Sequence, residues 1–91
     1  MSGEFAKLFG EGESQILTII QSNDQGEPEV RVFFQVRGFG VSSAALSFND
    51  NDAGWDKAGR IFANTDESVA RAFVDKALEH TGIKQMIEGG A

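Results

Sequence analysis

The densest run of oxygen donors in the chain is Asn49-Asp50-Asn51-Asp52, followed by Asp56. Such a run invites comparison with a calcium loop, whose ligands alternate and which needs glycine sixth and glutamate twelfth. Counted from Asp50, the sixth position is Trp55 and the twelfth Ile61; counted from Asn49, the glycine fits but the twelfth is Arg60. The spacing fails in both registers, and helix capping accounts for the same residues. Gly38-Phe39-Gly40 begins a dinucleotide fingerprint, yet Ser43 stands where the third glycine belongs. The residues from Val41 onward read as strand, so no helix start would meet a phosphate. His80 is the sole histidine and has no nucleophile elbow or spaced partner to complete a triad. With no cysteine, thiolate zinc sites, cysteine nucleophiles and disulfides are all excluded. The expectation is a protein without catalytic machinery, metal or cofactor.

One constellation survives this test. Arg31, Phe33, Gln35 and Arg37 alternate with Val30, Val32, Phe34 and Val36, so a strand here puts the two sets on opposite faces. The valine set reads as core. The other face, with Phe39 at the turn beyond it, joins aromatic and arginine side chains, the types that protein interfaces enrich. Three uses of that face remain open. It can contact another protein, lie under the N-terminal Phe5–Phe9 segment, or stack a base as RNA-binding sheets do. Overall charge weighs against the last: eight Lys and Arg against fourteen Asp and Glu leave −6, opposite to a phosphate-backbone binder. Residues 1–29 alone hold six acids and one lysine. Solvation is the ordinary reason for such clusters, and imitation of nucleic-acid phosphates is the sharper one.

These residues need elements to hold them. Ninety-one residues with 41% hydrophobic and 24% charged side chains make one small domain, 1–91. Residues 1–4 and 89–91 are expected to fray. No stretch is apolar enough to span a membrane, and the first residues lack a signal-peptide pattern. The cytoplasm is therefore the expected location. Phe5, Leu8 and Phe9, at i, i+3 and i+4, suggest a short N-terminal helix. Gln15–Gln21 reads as a strand, Asn23–Pro28 as a turn, and Val30–Val36 as a second strand. After the glycine turn, Val41–Phe48 reads as a third strand, with Ala44, Leu46 and Phe48 facing the core. Asn51 or Asp52 then caps a helix whose buried stripe is Trp55, Ala58, Gly59 and Phe62. Asn64 or Thr65 caps a second, with Val69, Ala70, Phe73 and Ala77 inward, Glu67–Arg71 and Arg71–Asp75 pairs outward, and Gly82 as its stop. Ile83, Met86 and Ile87 suit one last turn. The expected fold is α+β, a three-stranded antiparallel meander with two C-terminal helices packed on one face.

The stretches Pro28-Glu29-Val30-Arg31-Val32-Phe33-Phe34, Gly38-Phe39-Gly40-Val41 and Trp55-Asp56-Lys57-Ala58 resemble small accessory proteins of tailed phages and prophages. The resemblance covers roughly residues 5–75 and carries no catalytic motif. It implies a phage origin, a host-cytoplasmic setting, and action by binding a host or defence protein. The expectation is thus a small acidic protein-binding module, with Arg31, Phe33, Gln35, Arg37 and Phe39 as contact residues. The alternatives are a homodimer that buries the same face for assembly, and a small-ligand or nucleotide binder using it.

Overall fold

The computed structural model describes residues 5–36, 38 and 40–81. Among these, four strands form one antiparallel sheet in the order β1 (Ala6–Phe9), β2 (Ile16–Ser22), β3 (Pro28–Val36) and β4 (Gly40–Ser47). Helices α1 (Asp52–Ala63) and α2 (Glu67–Thr81) come next. The class is α+β as expected, but the sheet has a fourth strand. The N-terminal segment is not a helix: Ala6, Lys7, Leu8 and Phe9 pair with Ile19, Thr18, Leu17 and Ile16. The three apolar residues fit a helical spacing, but a period-2 pattern is hidden among them. Phe9 packs against the core beneath α2, while Lys7 on the same side reaches the end of α1. A lysine at an inward position disguises a strand, because its stem is apolar and only its tip needs polar company.

Local chemistry explains the connections. In the turn between β2 and β3, the Asn23 Oδ1 accepts the backbone N–H of Gln25 (2.9 Å) and of Glu27 (3.0 Å). Gly26 closes that turn at φ 80°, a region side chains disfavour. Asn51 caps α1, its Oδ1 accepting the Gly54 N–H at 2.7 Å. Asp66 caps α2 through the Val69 N–H (2.9 Å), in place of the expected Asn64 or Thr65. Those two residues finish α1 instead. The Asn64 N–H bonds Arg60 O, and the Thr65 hydroxyl donates to Ile61 O at 2.6 Å. Gly82 and the apolar residues after it lie outside the described residues.

The core is one-sided. Val30, Val32, Phe34 and Val36 are each at most 5% exposed. Phe34, Val32, Val36 and Ile16 pack with Ala70, and with Phe73, Val74, Ala77 and Leu78 of α2. Val30 packs with Ala58 and Phe62 of α1, joined by Ile20, Phe48 and Ile61. The stripe of α1 is Gly54, Ala58 and Phe62: Ala58 and Phe62 are buried as expected, but Gly54 takes the place of Trp55, which is 39% exposed, and Gly59 is half-buried. Ala58 packs with Val30 of the sheet, Gly54 lies against the backbone of Asn49 before the helix, and the indole is left on the flank. Val69 (47%) and Leu46 (44%) are likewise more exposed than their periodicity predicts, beside the sheet edge where the helix layer ends.

Two glycines on α1 should separate cleanly on substitution. A Cβ at Gly54 would overlap the backbone of Asn49, whereas one at Gly59 meets nothing within 4 Å. Gly59→Ala should raise stability by about 0.5–1 kcal/mol through helix propensity. Gly54→Ala should lower it by about 1–3 kcal/mol or more through overpacking. Thermal melts of the two variants check this, and equal effects would contradict the packing. A further stability test lies in the core. The Thr18 Oγ1 is buried and has no hydrogen-bond partner among the described residues. Isosteric Thr18→Val should be neutral or stabilising by up to about 1 kcal/mol, since it removes an orphaned hydroxyl. A drop in melting temperature would reveal a partner for it.

Candidate protein-binding surface

Neither helix cluster includes a residue from the second face of the sheet, so among the described residues nothing packs over it. Register assembles that face across all four strands. Leu8 lies opposite Leu17 and Leu17 opposite Phe33, which faces Ser43. One row over, Ala6, Ile19, Arg31 and Ala45 align, and Gln21, Glu29 and Ser47 form the next. The face therefore has two halves of different chemistry.

The polar half is tied together. Arg31 Nε donates to Glu29 Oε2 at 2.7 Å, its Nη2 to Glu29 Oε1 at 3.3 Å, and its Nη1 to Ser43 Oγ at 2.7 Å. Gln21 Nε2 donates to the same Glu29 carboxylate at 2.8 Å. The network spans β2, β3 and β4 and leaves the Glu29 side chain only 4% exposed. The Arg31 bonds hold the Glu29 carboxyl below its ordinary value of 4.5, outweighing the burial that pushes the other way, with Gln21 assisting. Glu29 in return raises Arg31. A charge-assisted pair of this kind keeps both charges satisfied without exposing them fully.

The apolar half is a shallow depression of ≈ 210 Å³ lined by Leu8, Leu17, Phe33 and Val41, with Gln15 and Gln35 among its polar lining. Leu8 is 60% and Val41 67% exposed, which is high for large apolar side chains. Of the residues expected at the surface, Phe33 and Gln35 are here. Arg31 is on the same face, but its guanidinium is committed to Glu29 and Ser43, so its role is to hold the strand pair. Arg37 and Phe39 lie outside the described residues. Sequence reasoning missed Leu8, Leu17 and Val41. The alternation of Ile16–Ile20 already put Leu17 opposite the core residues, but reading β1 as a helix hid its neighbour Leu8. That N-terminal segment does not lie over the face, as one alternative had it; it extends the face by a strand.

The capping expected of the acidic run falls to its asparagine. Asn51 caps α1, Asp52 opens the helix, and Asp56 pairs with Arg60 at 3.1 Å. Among the described residues, no group of three or more His, Cys, Asp or Glu is placed to hold a metal ion. No described helix is long and apolar enough to cross a membrane. Comparison of the chain with protein-family models, curated proteins and solved structures finds no match.

The network makes a pH prediction with a definite sign. A carboxyl whose pKa is lowered by folding contributes stability that is present above its unfolded value and is lost as pH falls through the folded one. Glu29→Gln should therefore be less stable than the parent at pH 7. The gap should narrow as pH falls below the ordinary carboxyl value of 4.5. Melting curves from neutral pH to about pH 3 check this. A gap that stays constant across that range would mean the carboxylate contributes nothing as a charge.

Proposed function

We propose that this chain is a small, acidic, non-enzymatic binding module that occludes a surface of a partner protein with its uncovered sheet face. The observation that carries the reading is the exposed pair Leu8 and Val41 around the half-buried Leu17 and Phe33, beside a polar network that is already satisfied. An exposed apolar patch bordered by ordered polar groups is the usual form of a protein contact site. The neutralised Glu29–Arg31 pair adds no desolvated lone charge to such a contact. The resemblance to phage accessory proteins supplies the class of partner, a host or defence protein met in the host cytoplasm. The phosphate-binding alternative loses support, because Arg31 is spent on Glu29 and Ser43.

Arg31 is a poor choice for disrupting contact, since its loss would strand the buried Glu29 carboxylate. Phe33→Ala with Val41→Lys removes the aromatic and places a charge in the depression without touching the network. The partner is first captured from lysate of infected cells and identified by mass spectrometry, then purified. The double variant should keep the parent's circular dichroism and melt within a few degrees. Its affinity for that partner should fall by about thirtyfold or more, the effect of truncating a hot-spot aromatic worth about 2 kcal/mol. A folded variant that binds as the parent does would move the contact to the acidic edge of Asp24, Glu27 and Asp50.

A further inference from the structure

We propose that β4 is a pairing edge, and that its partner is β4 of a second copy of this chain, the two sheets joining into one. Strand β4 ends the sheet, and among the described residues no strand pairs with its outer side. It runs for eight residues, Gly-Val-Ser-Ser-Ala-Ala-Leu-Ser, with no charged residue and no proline. Those are the features that natural edge strands use to prevent pairing. The other edge has them: β1 is only four residues long and carries the inward-pointing Lys7. The two edges of one sheet thus differ in whether they are defended.

A second observation lies beside the undefended edge. On the helix side, a groove of ≈ 270 Å³ opens between the helices and the sheet from β2 to β4, with Val32, Leu46, Ile61, Val69, Phe73 and Lys76 among its lining. Leu46 and Val69 are 44% and 47% exposed there. A strand pairs antiparallel with its own copy about a two-fold axis, whatever its sequence. With that axis perpendicular to the sheet, both helix layers stay on the same side. Leu46 of each copy then comes to the side on which the other's groove opens. Charge favours a second copy over a charged peptide. The chain repels itself at −6, but β4 carries no charge to add to that repulsion and none to attract a charged strand. This inference does not rest on the proposed function: pairing in the plane of the sheet sets a strand beside Val41 but lies over none of Leu8, Leu17 and Phe33.

The test is sedimentation together with amide hydrogen exchange, from about 1 to 200 µM, a range that brackets a micromolar association. The expected result is a species of twice the 9.8 kDa chain mass at high concentration. The β4 amides that do not bond β3 should exchange more slowly as that species forms. Leu46→Lys should remain folded by circular dichroism, stay monomeric, and lose the concentration-dependent protection. Ser47→Lys, exposed on the other side of the same strand, serves if Leu46→Lys does not fold. A monomer throughout the range overturns the proposal. So does full β4 protection in the dilute monomer, which would mean the chain covers its own edge. A dimer that survives in the folded lysine variants but is lost in Leu8→Lys, on the same face but on β1, overturns it in favour of stacked sheet faces.

Discussion

Strict alternation along β3 is the constraint on which the other features depend. Every second residue from Val30 to Val36 is nearly free of solvent, while Arg31, Phe33 and Gln35 between them are not. A shift of one residue would exchange the two sets, so the register with β2 and β4 is fixed by burial. Two helices supply apolar stripes for one face only. They divide that face, with α1 over the Val30 end and α2 over the Val32–Val36 end. The second face is then left to solvent or to another molecule, and the sequence has furnished it differently from an ordinary polar surface.

Lys7 shows how the layers are locked. Its ammonium donates to the carbonyls of Phe62 (2.7 Å), Ala63 (3.2 Å) and Thr65 (3.2 Å), and lies 4.8 Å from the centre of the Phe62 ring. Those carbonyls belong to the end of α1 and the turn into α2, where the helix dipole favours a cation. One side chain from the edge strand therefore satisfies acceptors that α1 cannot satisfy itself. The α1–α2 connection is held over the sheet by the same contact. On the other side of the chain, Arg71, held by Glu67 of its own helix at 2.8 Å, joins α2 to the loop after β1 through the Ser14 carbonyl at 3.3 Å. The N-terminal strand and the loop after it are in this way a fastening for both helices, the strand for α1 and the loop for α2.

Periodicity made β2, β3 and both helices legible, because each buries a repeating set of residues, whereas β4 buries none of its residues and is the weaker pattern. Periodicity failed where a residue's surroundings decide its role. Trp55 belongs to the apolar stripe by type, yet Gly54 takes that place, close against the backbone of Asn49, and the indole is left outside. Thr65 is a good capping residue by type, yet its hydroxyl is taken by Ile61 and Asp66 performs the capping. Lys7 disguised a strand because a long cation can face inward when helix carbonyls wait for it. The candidate surface was legible in the same measure. The alternation that buries Val32 exposes Phe33, but the bond from Arg31 to Glu29 depends on a two-residue spacing along one strand face. Without the strand's neighbours, nothing in the sequence tells a satisfied arginine from a free one.

The placement of charge connects these points. An acidic chain this small must keep its carboxylates apart and solvated, and the structure does so by putting them in turns and on outer helix faces. Asp56 and Glu67 are paired there with Arg60 and Arg71 four residues on. Among the described residues, one acid departs from this rule. Glu29 lies within the sheet face, and it is neutralised by Arg31 and bonded by Gln21. The result is a surface whose middle has no free charge while the rest of the molecule is strongly acidic. Long-range repulsion then acts on approach from most directions, and the uncharged face and edge are where close contact costs least in electrostatic terms. In a chain of −6, where charge is missing is as informative as where it gathers.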